Sequence, residues 1–281
     1  MLPLNPTRNM LMVAALLGAA ACTKDGGPFL APVQPLAYTR FISAVPDTFA
    51  TDWRFVDAIA NSPTAILQPF RGFTPYQATS PGSRRLRIFP NPGGTVVPLD
   101  VVTQVMIDTL LTFEENKYYT IIHVGFARTT GTPADRVIVL EDAIPENIGT
   151  QIAVRAVNLG VGLGSLDVYT AASTTAPLPA SAAFANVAFG AQSAYTIMAP
   201  GTLALRVTAA GTSTPVLVNA AAPAGAASDL ANLLTTIGGA AQAGSAFTAF
   251  IFPRSVAGTT APQSTAFQSS AIVYLIDRNP K

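Results

Sequence analysis

Few side chains in this sequence are equipped for chemistry. His123 is the only histidine and Cys22 the only cysteine in 281 residues. A nucleophilic triad or a zinc site needs several partners in fixed geometry, and one sulfur makes neither an internal disulfide nor a cysteine-cluster metal site. The sequence therefore reads as having no catalytic residue, no metal ligand set and no cofactor, and His123 reads as a half-buried strand position. Gly160, Gly162 and Gly164 lack the spacing of a phosphate-binding loop and precede a strand-like run, so they read as turn residues. Gly-x-Ser-x-Gly does not occur, nor does a calcium loop of alternating Asp and Asn. In the pairs Glu114-Glu115 and Glu141-Asp142, extended chain would point neighbours to opposite faces, so they read as solvated turn charges rather than a shared-proton pair.

Two arginine–aspartate spacings are more regular. Arg40 precedes Asp52 by 12 residues, and Arg155 precedes Asp167 by 12; each pair is expected to form a cross-strand ion pair holding a first hairpin. Tyr76 and Tyr195 each stand six residues before a glycine, Gly82 and Gly201, and are expected to pack beside a turn with the hydroxyl bonded to backbone. Arg84, Arg85 and Arg87 make a small basic group able to attract anionic lipid or polysaccharide. The Thr-Thr loops 128–133 and 258–262 precede equivalent strands and are the first candidates for a recognition end. Trp53, Tyr118 and Tyr274 are the aromatics that would form a platform for a sugar.

Composition narrows the classes. Sixteen basic against 15 acidic side chains exclude a nucleic-acid binder that works by phosphate neutralisation. A charged fraction of 11% excludes a charge-driven disordered chain, and the 21 glycines and 23 prolines are aperiodic, which excludes collagen. The apolar share of 49% is inflated by 48 alanines, 32 of them after residue 150.

The N-terminus reads as an address. Residues 1–9 carry Arg8, Met10 to Ala21 is uncharged, and Cys22 follows Ala19, Ala20 and Ala21. Twelve helical residues span about 18 Å, too little for a hydrocarbon core of about 30 Å, so this is an export signal rather than a spanning helix. Leu17-Gly-Ala-Ala-Ala-Cys22 resembles the lipobox of bacterial lipoproteins, with Ala19 where leucine is usual. The resemblance implies cleavage after residue 21 and acylation of Cys22, whose chains would hold the protein to a membrane without a spanning segment. Thr23, in place of Asp, implies the outer membrane. An ordinary secretory signal that leaves Cys22 as a free thiol is the alternative. Residues 22–37, with Pro28, Pro32 and Pro35, read as an extended tether.

The remainder repeats. Arg40 and Asp52 recur as Arg155 and Asp167 at an offset of 115; Phe70, Tyr76, Pro81, Gly82 and Arg87 recur as Phe189, Tyr195, Pro200, Gly201 and Arg206 at 119; Asp142 and Pro145 recur as Asp277 and Pro280 at 135. A growing offset is what loop insertions in a second copy produce. Two domains are expected, 38–147 and 150–281. In the first, 38–44, 52–57, 83–89, 104–111, 118–125 and 136–141 are rich in β-branched and aromatic residues and separated by turn formers. Counterparts are 152–158, 166–169, 203–208, 215–219, 246–252 and 271–276, while 228–237 suits a short helix. The expected fold is all-β, two tandem antiparallel sandwiches, Ig-like or transthyretin-like.

Tyr38-Thr-Arg-Phe-Ile-Ser-Ala-Val-Pro-Asp47 with Asp52, the Tyr76 to Gly82 turn, and Lys117-Tyr-Tyr-Thr-Ile-Ile-His-Val-Gly125 resemble DUF4397, a domain of unknown function of bacterial envelope and secreted proteins. The resemblance runs through both copies, though Leu159 to Gly164 replaces the Ala-Val-Pro-Asp stretch in the second. It implies a β-sandwich at the cell envelope and brings no catalytic residue. The expectation is a lipid-anchored, non-enzymatic envelope lipoprotein acting as a structural or protein-interaction module; the alternative is a surface glycan binder.

Overall fold

The computed structural model describes residues 34–57 and 66–280. The signal segment, Cys22 and nearly all of the tether lie outside the described residues. From residue 36 onward the described residues form one compact unit, and its strands fall on the runs of β-branched and aromatic residues. The first half holds β1 (Ala37–Ser43), β2 (Ala50–Phe55), β3 (Ile66–Gln68), β4 (Gln77–Thr79), β5 (Gly82–Asn91), β6 (Ile107–Phe113), β7 (Tyr118–Val124) and β8 (Arg136–Glu141), with a short helix α1 (Leu99–Thr103) before β6. The second holds β9 (Ile152–Asn158), β10 (Leu166–Ala171), β11 (Phe184–Val187), β12 (Thr196–Met198), β13 (Ala204–Ala209), β14 (Val218–Ala221), β15 (Ala246–Phe252) and β16 (Ala271–Arg278).

Sheet order is β4-β1-β7-β8 and β3-β2-β5-β6 in the first half, and β12-β9-β15-β16 and β11-β10-β13-β14 in the second. The order is the same once strands are matched in sequence. The expected all-β sandwich is present, but its sheets are not antiparallel throughout, since β1 pairs with β7, and β9 with β15, in parallel. Each connection reverses the chain, so the first and seventh strands of each half run the same way and meet side by side. The short edge strands β3, β4, β11 and β12 carry too few residues to show a period. The segment 228–237 is a loop with one 3-10 turn, Leu230–Asn232, rather than an α-helix.

Alternation along the central strands builds three large cores, with a small fourth cluster around Ile148, Ala153 and Ala246. Phe41, Trp53, Leu86, Ile88, Phe113, Tyr119 and Ile121 fill the first sandwich. Val154, Val168, Phe184, Leu205, Val207, Phe247 and Ile251 fill the second. The opposite faces of β1, β7, β9 and β15 put Ile42, Ile122, Val157, Phe250 and Phe252 into a third core between the halves. Four sheets are therefore stacked, and the two inner ones are buried on both faces, as near-continuous apolar runs require. Ile42, Ala44, Val124, Val157, Leu159 and Phe252 share that middle core, so the C-terminal ends of these four strands lie together at one end of the stack.

Candidate functional site

Charge gathers in the middle core. Arg40 stands beside Thr120 in the β1–β7 register, and Arg155 beside Thr248 in the β9–β15 register. Arg40 Nε donates to Thr120 Oγ1 at 2.7 Å, and that hydroxyl donates to Asp142 Oδ2 at 2.6 Å. Arg155 Nε donates to Thr248 Oγ1 at 2.7 Å, and Thr248 to Asp277 Oδ2 at 2.6 Å. Each carboxylate also accepts a tyrosine hydroxyl at 2.7 Å, Asp142 from Tyr76 and Asp277 from Tyr195. The rings lie against the guanidinium groups, Tyr76 at 4.5 Å from Arg40 and Tyr195 at 4.8 Å from Arg155.

The pairing then crosses between halves. Arg40 Nη2 meets Asp277 Oδ1 at 2.8 Å, an ion pair not aligned for a hydrogen bond, and Arg155 Nη2 donates to Asp142 Oδ1. Both arginines and both aspartates are buried. Burial works against the charged form of Arg40, and the carboxylates of Asp277 and Asp142 outweigh it, holding its pKa above the ordinary value; Arg155 is raised in the same way by Asp142 and Asp277. Burial pushes the Tyr76 and Tyr195 hydroxyls up, so both stay neutral donors. Two buried cations face two buried anions. Such a constellation fixes the register of the inner strands across the two halves.

Three expectations are corrected by this network. Arg40 does not pair with Asp52, nor Arg155 with Asp167, because alternation turns the arginines toward the other half, whereas the aspartates sit on the outer sheets. Asp52 Oδ1 accepts from Asn91 Nδ2 at 2.9 Å and Oδ2 lies 3.8 Å from Arg54; Asp167 caps two loops, accepting the N–H of Asn186 at 2.7 Å and of Gly211 at 2.8 Å. The two tyrosines bond to carboxylates instead of backbone. Asp142 is buried rather than solvated, while its neighbour Glu141 stays outside with Lys117 at 3.2 Å, the opposite-face geometry expected of adjacent residues in extended chain. The repeat of Asp142 as Asp277 was the visible signal for this network.

The candidate loops do converge. A cleft of about 560 Å³ is lined by Asp47, Thr48, Val101, Val105, Met106, Ala127, Arg128, Asp135, Gly258, Thr259 and Thr260 among others. Asp47 shapes its wall, its carboxylate accepting the N–H of Ala127 at 2.9 Å and of Arg128 at 3.1 Å. Val256 N–H donates to Pro46 O at 2.8 Å, which ties the second loop to the first half. The cleft stands where β1 and β7 finish, at the opposite end of β1 from Ala37.

A residue the sequence did not single out, Arg71, joins the halves nearby. Its guanidinium donates to Ala266 O at 3.0 Å and Pro253 O at 2.6 Å, and it lies over Phe70 and Phe267. His123 is fully buried, with Nε2 2.9 Å from Asp135 Oδ2 and its ring edge-on to Trp53. Trp53 itself is 0% exposed, and Tyr274 is turned inward with its hydroxyl on Ala220 O at 2.8 Å, so neither offers a face to a sugar. Tyr118 stacks on Tyr38 at 4.7 Å. The basic group is matched by acids: Arg84 by Asp57 at 3.4 Å, Arg85 and Arg87 by Asp108 at 2.7 and 3.0 Å.

With Tyr38 to Asp47 and Lys117 to Gly125 placed as the two central strands and their loops, the comparison with known families is decided in the first half. Residues 37–169 match DUF4397, a domain of unknown function. The DUF4397 match spans β1 to β8 and runs on into β9 and β10, so it includes Arg40, Asp142 and Arg155 but ends before Asp277. No curated protein matches the chain. Among the described residues no helix is long and apolar enough to cross a membrane.

Proposed function

We propose that this chain is a bacterial envelope lipoprotein, held to the membrane through acylated Cys22, whose two tandem DUF4397-like domains form one rigid, non-enzymatic body that presents a cleft to a protein partner. The observation that carries the reading is polarity along β1. The chain arriving from Cys22 enters at Ala37, and Asp47 in the cleft wall lies at the other end of the strand. A strand of that length spans roughly 20 Å, so the cleft opens at the end of the body opposite the one where the chain enters.

Two further features support it. The strand order and the Arg-Thr-Asp-Tyr set recur in residues 152–278, which is what a second copy of the domain would give. The interior charges neutralise one another, and the cleft is walled by loops of both halves, the usual place for recognition on a sandwich. Mass spectrometry and fractionation test the anchor. The intact protein is expected to carry acyl mass at Cys22 and sediment with membranes, and Cys22→Ala to lose both; a substituted chain that stays fully with membranes, from an intact chain lacking acyl mass, rejects the reading.

A further inference from the structure

We propose that the loop 226–237 of the second half is a bilayer-contacting element that sets Leu233, Leu234 and Ile237 into the headgroup region beneath the body; the inference rests on the lipid-anchor reading above. These side chains are 90%, 59% and 59% exposed, and isolated apolar residues grouped on one projecting loop call for a partner more than scattered ones do.

The loop is built to project. Ala226 and Ile237 exchange backbone hydrogen bonds at 3.0 and 2.8 Å, and Asp229 and Leu234 at 3.0 and 2.9 Å. Its foot is locked, since a Cβ on Gly239 would lie 2.3 Å from Gly225 N and Gly238 N–H donates to Asn279 Oδ1 at 2.7 Å. Asp229 is the only charged residue from 222 to 245, and its carboxylate is turned back on the loop, accepting from Asn232 Nδ2 at 2.7 Å and from Ala231 N–H at 3.1 Å. Leu233 and Leu234 are left as the leading surface, with Asp229, its carboxylate hydrogen-bonded within the loop, as the one charge beside them.

Position selects the bilayer as the occupant. The loop leaves the end of β14 and returns to the start of β15, beside Asn279. Arg278, next to Asn279, lines one cavity with Asn116, Lys117 and Tyr118, and Asn116 N–H donates to Leu36 O at 2.8 Å. The loop therefore shares its end of the body with the point where the chain from Cys22 enters. Under the lipid-anchor reading, Thr23 to Pro35 can reach at most about 45 Å, so the entry end of the body stays within that distance of the acyl chains. Another exposed apolar loop carries Val96 and Leu99, 98% and 75% exposed, and lies at the cleft end, opposite the point where the chain enters. Three aliphatic side chains suit shallow insertion at the headgroup and acyl boundary.

The test uses the full acylated chain reconstituted into vesicles of phosphatidylethanolamine with a minority of phosphatidylglycerol, some carrying brominated acyl chains. Leu234→Trp reports the loop and Val96→Trp the far end, against the buried Trp53 as background. The expected result is loss of most of the added emission at 234 with a blue shift, and no change at 96. Co-flotation of the same samples separates the two ideas. If the protein floats with the vesicles and Trp at 234 is unquenched, the loop proposal alone falls; if it carries no acyl mass and does not float, both fall. Equal quenching at 96 and 234 overturns the orientation, and shielding of 234 from iodide without quenching by bromine assigns the loop to a protein contact instead. A further variant, Leu233→Asp with Ile237→Asp, sits on exposed positions and should fold while abolishing quenching at 234.

Discussion

The two halves agree where they touch and diverge where they do not. Across their shared face each supplies an arginine, a threonine, an aspartate and a tyrosine in the same hydrogen-bond order. Away from it they differ twice. The first sandwich is filled by aromatics, with Phe41 and Trp53 where the second has Ala156 and Val168. The long connections are also exchanged: residues 92–106 of the first half rise at the cleft end, and 222–245 of the second descend at the end where the chain enters. A face shared by both halves must match charge and register at once, so neither partner can change alone. A sandwich interior needs only to be filled, and an outward loop only to close.

The comparison breaks most visibly at the shared face. Asp277→Ala would leave Arg40 buried without its nearest anion and take the acceptor from Tyr195 and Thr248; Asp142→Ala does the same to Arg155, Tyr76 and Thr120. Each is expected to lower stability by about 3–5 kcal/mol in urea unfolding, and by similar amounts. A loss in one and not the other would show that the quartets are alike in geometry only. The sandwich interiors come next. Trp53→Val installs the residue of the second half in the aromatic core and should cost about 2–4 kcal/mol, from lost burial and a cavity. A small cost would mean that the first sandwich closes around the smaller side chain.

How far these features could be read from sequence follows the same division. The central strands were legible because β1, β7, β9 and β15 are long and apolar on both faces; 136–141, 152–158 and 246–252 coincide with the observed strands. Asp142 and Asp277 were legible as a repeated pair. What was hidden is that Arg40 reaches Asp277, because the partner belongs to the other half and nothing local records the stacking of two sheets. Asp52, nearer in sequence and of the right charge, was the natural wrong choice, although it lies on another sheet. The equivalent places of the Thr-Thr loops before β8 and β16 were legible, but their meeting in one cleft was not, because it depends on the same stacking of the halves. The swap of long connections was concealed because a shorter link before β14 offsets part of the longer one after it, leaving only a net change in offset.

Arg71 sharpens the comparison at the turn after β3. Its backbone has φ 63°, and its counterpart Gly190 has φ 79°; the left-handed region suits glycine and costs other residues. The arginine tolerates it while its guanidinium holds carbonyls of the second half. Arg71→Ala keeps the backbone cost and loses the contacts, and should destabilise by about 1–3 kcal/mol. Arg71→Gly, the residue of the second half, should recover about 1 kcal/mol of that. If the two variants unfold alike, the backbone carries no cost at this site.

The smallest effect lies on the outer sheet of the first half, where the strand carrying Arg85 and Arg87 is braced by Asp108 and the corresponding strand of the second half has no such triad. Hydrogen bonds from Arg85, then Arg87, outweigh desolvation and lower the Asp108 carboxyl from 3.8 to about 2. A group whose folded value lies below its unfolded one contributes stability that is fully present above the unfolded value and is lost as pH falls toward the folded one. Asp108→Asn should therefore be slightly less stable than the parent at neutral pH, and the difference should close between about pH 4 and pH 2. Solvent and salt screen this pair, so raising the ionic strength at neutral pH should shrink the same difference. A gap that persists at pH 2 would mean that Asp108 braces the strand by shape and hydrogen bonding, with its charge contributing nothing.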